Sequence, residues 1–206
     1  MDHVIAPLDA DHAQAVAQLA VDLAAALSIP PEAAACRSPH ITLASYTGLE
    51  PAPVAAVLAP VAAAIEPFTV RAHGYGVFSG DADADLSLHV VVVRTRALDE
   101  LHRRVHAALG AAGADQAGTT DPSVWSPHVT VLGRGLTPRL VGRAVEVLAR
   151  RPHRTWAIGV RSLMIAAPHG DPGRPPLTLT LGAAMAPAAD AARQPANAGS
   201  WYDRPS

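Results

Sequence analysis

A duplicated fold of mixed strands and helices, two lobes sharing one site, is what this sequence predicts. Two observations carry that expectation. The word Ser-Pro-His-apolar-Thr occurs twice, as Ser38-Pro39-His40-Ile41-Thr42 and as Ser126-Pro127-His128-Val129-Thr130. After each word the same order of elements follows: a strand, a helix, then a hairpin. The interval between the words is too long for a solenoid repeat, which points to two lobes rather than an array.

Taken in order, residues 2–8 are apolar enough for an opening strand, and Asp9 and Asp11 can cap the helix that follows. Over 10–27, Val16, Leu19, Ala20, Leu23 and Leu27 recur at helical spacing, and Pro30-Pro31 stops the run. Residues 39–46 read as the first His strand. Alternate side chains of a strand point to opposite faces, so His40, Thr42 and Tyr46 are expected on one face and Ile41 and Leu43 in a core. A second helix is predicted over 51–65, with Pro60 able to kink or shorten it. Strands at 68–78 and 86–93, separated by the acidic turn Asp81-Ala82-Asp83-Ala84-Asp85, read as a hairpin. Leu98, Leu101, Val105 and Leu109 mark a helix over 97–109.

The Gly-rich stretch at 110–120 is the expected lobe boundary. Beyond it come the second His strand (123–132), a helix (138–150) and strands at 155–166 and 177–181. On the second His strand, His128, Thr130 and Arg134 fall on one face, opposite Val129 and Val131. Residues 184–206, rich in Ala and Pro and without pattern, are expected to be a disordered tail outside a folded unit of 1–183.

Composition narrows the function. A chain of 206 residues can bury a real core. The formal net charge is −2, and all 16 basic residues are arginine, which argues against coating long nucleic acid by counterion release alone. A small or terminal phosphate held by a few arginines remains open. The single cysteine, Cys36, rules out an internal disulfide and a Cys-based zinc site, and reads as an inert thiol. No basic leader and no run of about 20 apolar residues is present, so a cytoplasmic protein is expected, without a membrane partner. With no sustained heptad, a monomer is the expected state.

Two histidines facing one pocket suit concerted acid–base chemistry near neutral pH, one neutral ring removing a proton and one charged ring donating one. Hydroxyls at Thr42 and Thr130 can donate hydrogen bonds to the nonbridging oxygens of a phosphate as charge builds on them. The scheme needs no metal or other cofactor. Arg134 is a candidate phosphate or ribose contact, or else a solvated arginine. Trp125 and Tyr46 flank the words and can stack a base; packing at the core or rim is the alternative for Trp125. Tyr75 is a weaker candidate of the same kind. His102 and His106 share the spacing of paired metal ligands, but they lack a zinc-hydrolase glutamate and sit beside Arg103 and Arg104, so a surface pair is expected. The acidic turn lacks the glycine and distal glutamate of a calcium loop. His89, inside an apolar strand, reads as a hydrogen-bonded core residue.

The paired words, continued by Leu43 and Val131, resemble the two signatures of the two-histidine phosphoesterases, the superfamily of bacterial 2′,5′ RNA ligase-like proteins and RNA 2′,3′-cyclic phosphodiesterases. The resemblance spans residues 1–183. It implies an α+β fold, bilobal and duplicated, with two antiparallel sheets facing a central cleft, helices on the outer faces and lobes interleaved about a pseudo-twofold axis. It also implies metal-independent hydrolysis of nucleotide or RNA 2′,3′-cyclic phosphates to 2′-phosphates, with His40, Thr42, His128 and Thr130 in the signature positions. Two other readings stand beside it: a phosphodiesterase for another small diester, 2′,5′-linked or an ADP-ribose cyclic phosphate, and a nucleotide-binding module that no longer turns over. Ligation is associated with the family name, but nothing in the chain requires it. Because a cation lowers a neighbouring histidine's pKa, Arg134 on the His128 face predicts His128 as general base and His40 as general acid.

Overall fold

The structure, a computed structural model, describes residues 1–30, 38–79, 86–151, 155–167 and 174–183. Cys36, the acidic turn and the expected tail lie outside the described residues. The described residues form nine strands and four α-helices, in the order β1 (Asp2–Pro7), α1 (Ala10–Leu27), β2 (His40–Thr47), α2 (Pro51–Ala63), β3 (Phe68–Ser79), β4 (Leu86–Val92), α3 (Arg96–Ala111), β5 (Asp115–Gln116), β6 (His128–Leu136), α4 (Pro138–Ala149), β7 (Trp156–Val160), β8 (Ser162–Ala166) and β9 (Leu177–Thr180). The fold is α+β, as expected.

The helices form where the sequence stripes them. Asp9 caps α1, its carboxylate accepting from the His12 N–H at 3.0 Å, and the stripe from Val16 to Leu27 is buried. The helix ends at Ser28, which adopts the left-handed conformation with φ 57°, two residues ahead of Pro30. Pro60 lies inside α2 without ending it, and the helix closes three residues later at Ala63. Thr95 caps α3 by accepting from Leu98 N–H at 3.3 Å.

All strand pairs are antiparallel, in the order β7-β3-β4-β6-β2-β1-β8-β9, with β5 attached to β2. The two halves, β7-β3-β4-β6 and β2-β1-β8-β9, meet through one residue pair, Ile41 opposite Val129. The two expected sheets are therefore two halves of one strand order, joined at its centre. Ile41 and Val129 hold the same place in the two words, and antiparallel pairing of equivalent residues is what a local twofold axis through the pair demands.

The sequence read 155–166 as one strand, and the structure divides it at Arg161. The first part, β7, pairs with β3, whereas the second, β8, pairs with β1. One extended segment thus straps both halves of the molecule. The β3–β4 hairpin forms as expected, with Gly76 opposite His89 and Phe78 opposite Ser87. Beneath the strands, Val16, Leu23, Ile41, Leu43, Leu58, Leu101, Val129 and Leu132 belong to one core of buried side chains. α1 packs on β6 and α4, α2 on α3, β8 and β9, and α3 on β2. Among the described residues no helix is long and apolar enough to cross a membrane.

Candidate active site

The central strand pair builds the site. Ile41 and Val129 are fully buried, while His40, Thr42, His128 and Thr130, which alternate with them, are half-buried on the other face. Extending the Ile41–Val129 register by one residue each way sets His40 across from Thr130 and Thr42 across from His128. Each imidazole is thereby paired with the threonine of the other word. The repeat thus sets two copies of one imidazole-and-hydroxyl pattern on the same face of the central strand pair.

The two rings are held in the same way. His40 Nδ1–H donates to the Ser38 carbonyl at 2.6 Å, and His128 Nδ1–H donates to the Ser126 carbonyl at 2.8 Å. A carbonyl only accepts, so the proton is fixed on Nδ1 and each Nε2 is left to take up or release a proton. The proline between each Ser and His keeps the residue before it extended. Burial lowers the pKa of both rings. For His128 burial is the larger cause, and the positive charge of His40 lowers it further. Two such rings resist being charged together, and a pair sharing one proton is the state that acid–base chemistry uses.

A cleft of about 630 Å³ opens beside this square, lined by Thr42, His128, Trp125, Phe78, Val77 and Val124 among others. Its back wall is Trp125, which is 4% exposed. Trp125 Nε1–H donates to the Thr42 carbonyl at 3.0 Å, tying the second word to the first strand. Its ring lies parallel to that of His102, with centroids 3.7 Å apart and planes at 3°. Arg94 secures the same segment, donating to the Trp125 and Pro122 carbonyls and pairing with Asp99. Trp125 is therefore packed on one face, and it shapes the cleft as a wall rather than as a free stacking platform.

Two of the remaining candidates end elsewhere. Tyr46 is fully buried at the far end of β2, opposite Asp2, and offers no face to a ligand; this corrects the expectation that it shares the His40 face. The cause is a register shift in β2. Ile5 pairs with Thr42 but Val4 pairs with Ala44, and the extra residue, Leu43, interrupts the alternation on which that expectation rested. From Leu43 to Tyr46 every side chain is buried, and burial pushes the Tyr46 hydroxyl up to about 12. Arg134 lies on β6, but its side chain falls outside the described residues. Tyr75 is exposed on β3 and lines a separate hollow with Asp11, Gln14 and Arg151.

Sequence reasoning missed two neighbours of His128. Phe78, 37% exposed, meets the His128 ring edge-on with centroids 4.9 Å apart. His89 is buried and hydrogen-bonded, as expected, but its ring lies 4.3 Å from that of His128 and its Nδ1 is 3.4 Å from Thr130 Oγ1. Both come from the hairpin, and the sequence does show that hairpin. What no local pattern shows is the pairing of β4 with β6, which places Val91 opposite His128 and His89 opposite Thr130.

The expected surface pair His102 and His106 is also corrected. His102 is fully buried and His106 half-buried, because His102 falls on the same face of α3 as Leu98, Leu101, Val105 and Leu109. His102 Nε2–H donates to the Thr120 carbonyl at 3.0 Å, and its Nδ1 has no partner among the described residues. Burial, followed by the charge of His106, pulls its pKa down from 6.5 to about 4. A buried ring that stays neutral has a consequence for stability. Between pH 6.5 and 4 the unfolded chain binds a proton that the folded chain refuses, so stability falls as pH falls through that window. Urea midpoints at pH 7 and 4.5 should show that loss, and His102→Leu should reduce the slope even if it lowers stability throughout.

The chain belongs to the 2′-5′ RNA ligase superfamily, whose family model matches residues 8–172, and so to the two-histidine phosphoesterases. That membership gives it a phosphoesterase- or ligase-type function. Solved structures share its fold. A phosphoesterase crystal structure is 19% identical with a TM-score of 0.52, covering 87% of this chain and 97% of that one. E. coli LigT complexed with 3′-AMP is 17% identical with a TM-score of 0.53, covering 87% and 96%. The protein TT0787 of Thermus thermophilus is 17% identical with a TM-score of 0.51, covering 88% and 95%. No curated protein matches the chain.

Proposed function

We propose that the protein is a phosphodiesterase that opens 2′,3′-cyclic phosphates of nucleotides or RNA ends to 2′-phosphates, working as a cytoplasmic monomer without a metal. The matched Nδ1–carbonyl bonds of His40 and His128, which leave the Nε2 of each ring to take up or release a proton, are the observation that supports this most. LigT, which shares the fold, was crystallised with a nucleoside monophosphate. The apolar wall of Phe78, Val77 and Val124 beside His128 suits a nucleoside.

In this scheme the neutral Nε2 of His128 removes a proton from water as its oxygen attacks phosphorus. The protonated Nε2 of His40 delivers a proton to the departing 3′ oxygen, which becomes the ribose hydroxyl. Burial lowers the pKa of both rings and charge on one disfavours charge on the other, so the pair carries one proton, which this scheme places on His40. Thr42 and Thr130 donate to the nonbridging oxygens as the phosphorus becomes pentacoordinate. At the end His128 is charged and His40 neutral, and exchange with solvent restores the starting state.

The test is turnover of the four 2′,3′-cyclic mononucleotides and of a short RNA ending in a cyclic phosphate, with a chelator present. Hydrolysis at rates that chelator leaves unchanged supports the reading. No turnover by folded protein removes it, and tight binding without turnover would point to a nucleotide-binding module.

A further inference from the structure

We infer that His89 is a positioning residue of the His128 half of the site, fixing the Thr130 hydroxyl as a donor to a bound phosphate; the inference rests on the proposed phosphoryl chemistry. Its geometry is specific. His89 is 3% exposed, with Nδ1 3.4 Å from Thr130 Oγ1 and Nε2 3.1 Å from Ser87 Oγ. Its ring packs against those of Phe78 and His128, with centroids 4.4 and 4.3 Å away. Burial first, and the charge of His128 second, pull its pKa to about 3, so the ring carries one proton at any working pH.

A neutral ring between two hydroxyls has two arrangements. With the proton on Nε2, His89 donates to Ser87 and draws the Thr130 hydroxyl proton onto Nδ1. Thr130 then offers an anion only lone pairs. With the proton on Nδ1, His89 donates to Thr130 and Ser87 donates to Nε2. The Thr130 hydroxyl proton is then free to point at a phosphate oxygen. Only the second arrangement suits an anionic substrate.

The other half of the site is built differently. The register that sets His89 opposite Thr130 has Ile5 opposite Thr42. The two words are equal in sequence, but on its outer neighbour strand Thr130 faces a further imidazole, His89, where Thr42 faces the aliphatic Ile5. His89 therefore makes Thr130 the pre-oriented donor, and it also seats the ring of His128.

The test has two arms. In the first, ¹⁵N NMR of imidazole-labelled protein reads the His89 tautomer, free and with saturating inorganic phosphate. The Nδ1–H tautomer in both states is the expected result; the Nε2–H tautomer in either overturns the inference. This arm needs no turnover, so it stands even if cyclic phosphates prove not to be substrates. In the second, His89→Phe keeps a ring in place but removes the donor, and should lower kcat about tenfold with little change in KM, the worth of one oriented hydrogen bond. His89→Asn, whose amide can donate from a similar place, should restore part of the loss. On a Thr130→Val background His89→Phe should cost nothing further, while on Thr42→Val the two losses should multiply. Equal losses on both backgrounds would mean that His89 only packs.

Discussion

Alanine at His128 lowers kcat for a 2′,3′-cyclic mononucleotide by about 10³-fold or more, and alanine at His40 does the same, with folding intact. Positioned acid–base groups contribute typically 10²- to 10⁴-fold each, and here the two act in one step, so losing either leaves the other without its counterpart. The rings are half-buried and among the described residues each makes a single hydrogen bond, at Nδ1, so truncation should cost little stability. The pH profiles separate their roles. The base must be neutral and the acid charged, and burial shifts both pKa values below the ordinary histidine value. The free enzyme's kcat/KM should therefore be bell-shaped, with its maximum on the acid side of 6.5. His128→Ala should remove the acidic limb from the residual rate and His40→Ala the alkaline limb. The converse pattern would exchange the two roles.

Valine at Thr130 should cost about 10²-fold in kcat, and valine at Thr42 less, with KM changed by severalfold at most. Valine keeps the shape of threonine and removes only the hydroxyl. Loss of one preorganised donor to a developing oxyanion costs about 10²- to 10³-fold elsewhere, because the donor is worth more when the charge has built up than in the ground state. The inequality between the two threonines follows from the strand register: Thr130 has His89 across from it and Thr42 has Ile5. Equal losses at both would show that their surroundings do not matter. A rise in KM alone would show that the hydroxyls bind substrate without favouring the transition state. Thr130→Ser, which keeps the hydroxyl, should retain most of the rate.

What the sequence reveals and what it hides divide along physical lines. The duplicated words give the central pair because alternation along a strand is local, and a repeated pattern fixes two faces at once. His40, Thr42, His128 and Thr130 come together for that reason. Alternation fails for Tyr46 where one extra residue enters the β2 ladder, since a bulge leaves no mark on the residue type at Leu43. The spacing of His102 and His106 suggests metal ligands or a surface pair, yet the apolar stripe at Leu98, Leu101, Val105 and Leu109 already assigned that helix face to the core. His89 and Phe78 were hidden for a different reason. Their place beside His128 depends on which strand neighbours which, and that is decided by packing of the whole chain. Division of 156–166 between two partner strands is hidden in the same way, since each half has the composition of a strand.

The most direct measurement of the central claim is ³¹P NMR of a 2′,3′-cyclic nucleotide incubated with the protein in ¹⁸O-labelled water containing a chelator. The account predicts one product, the 2′-phosphate carrying a single ¹⁸O, formed by the wild type and not by His40→Ala or His128→Ala. A 3′-phosphate, or hydrolysis that survives in both variants, would contradict it.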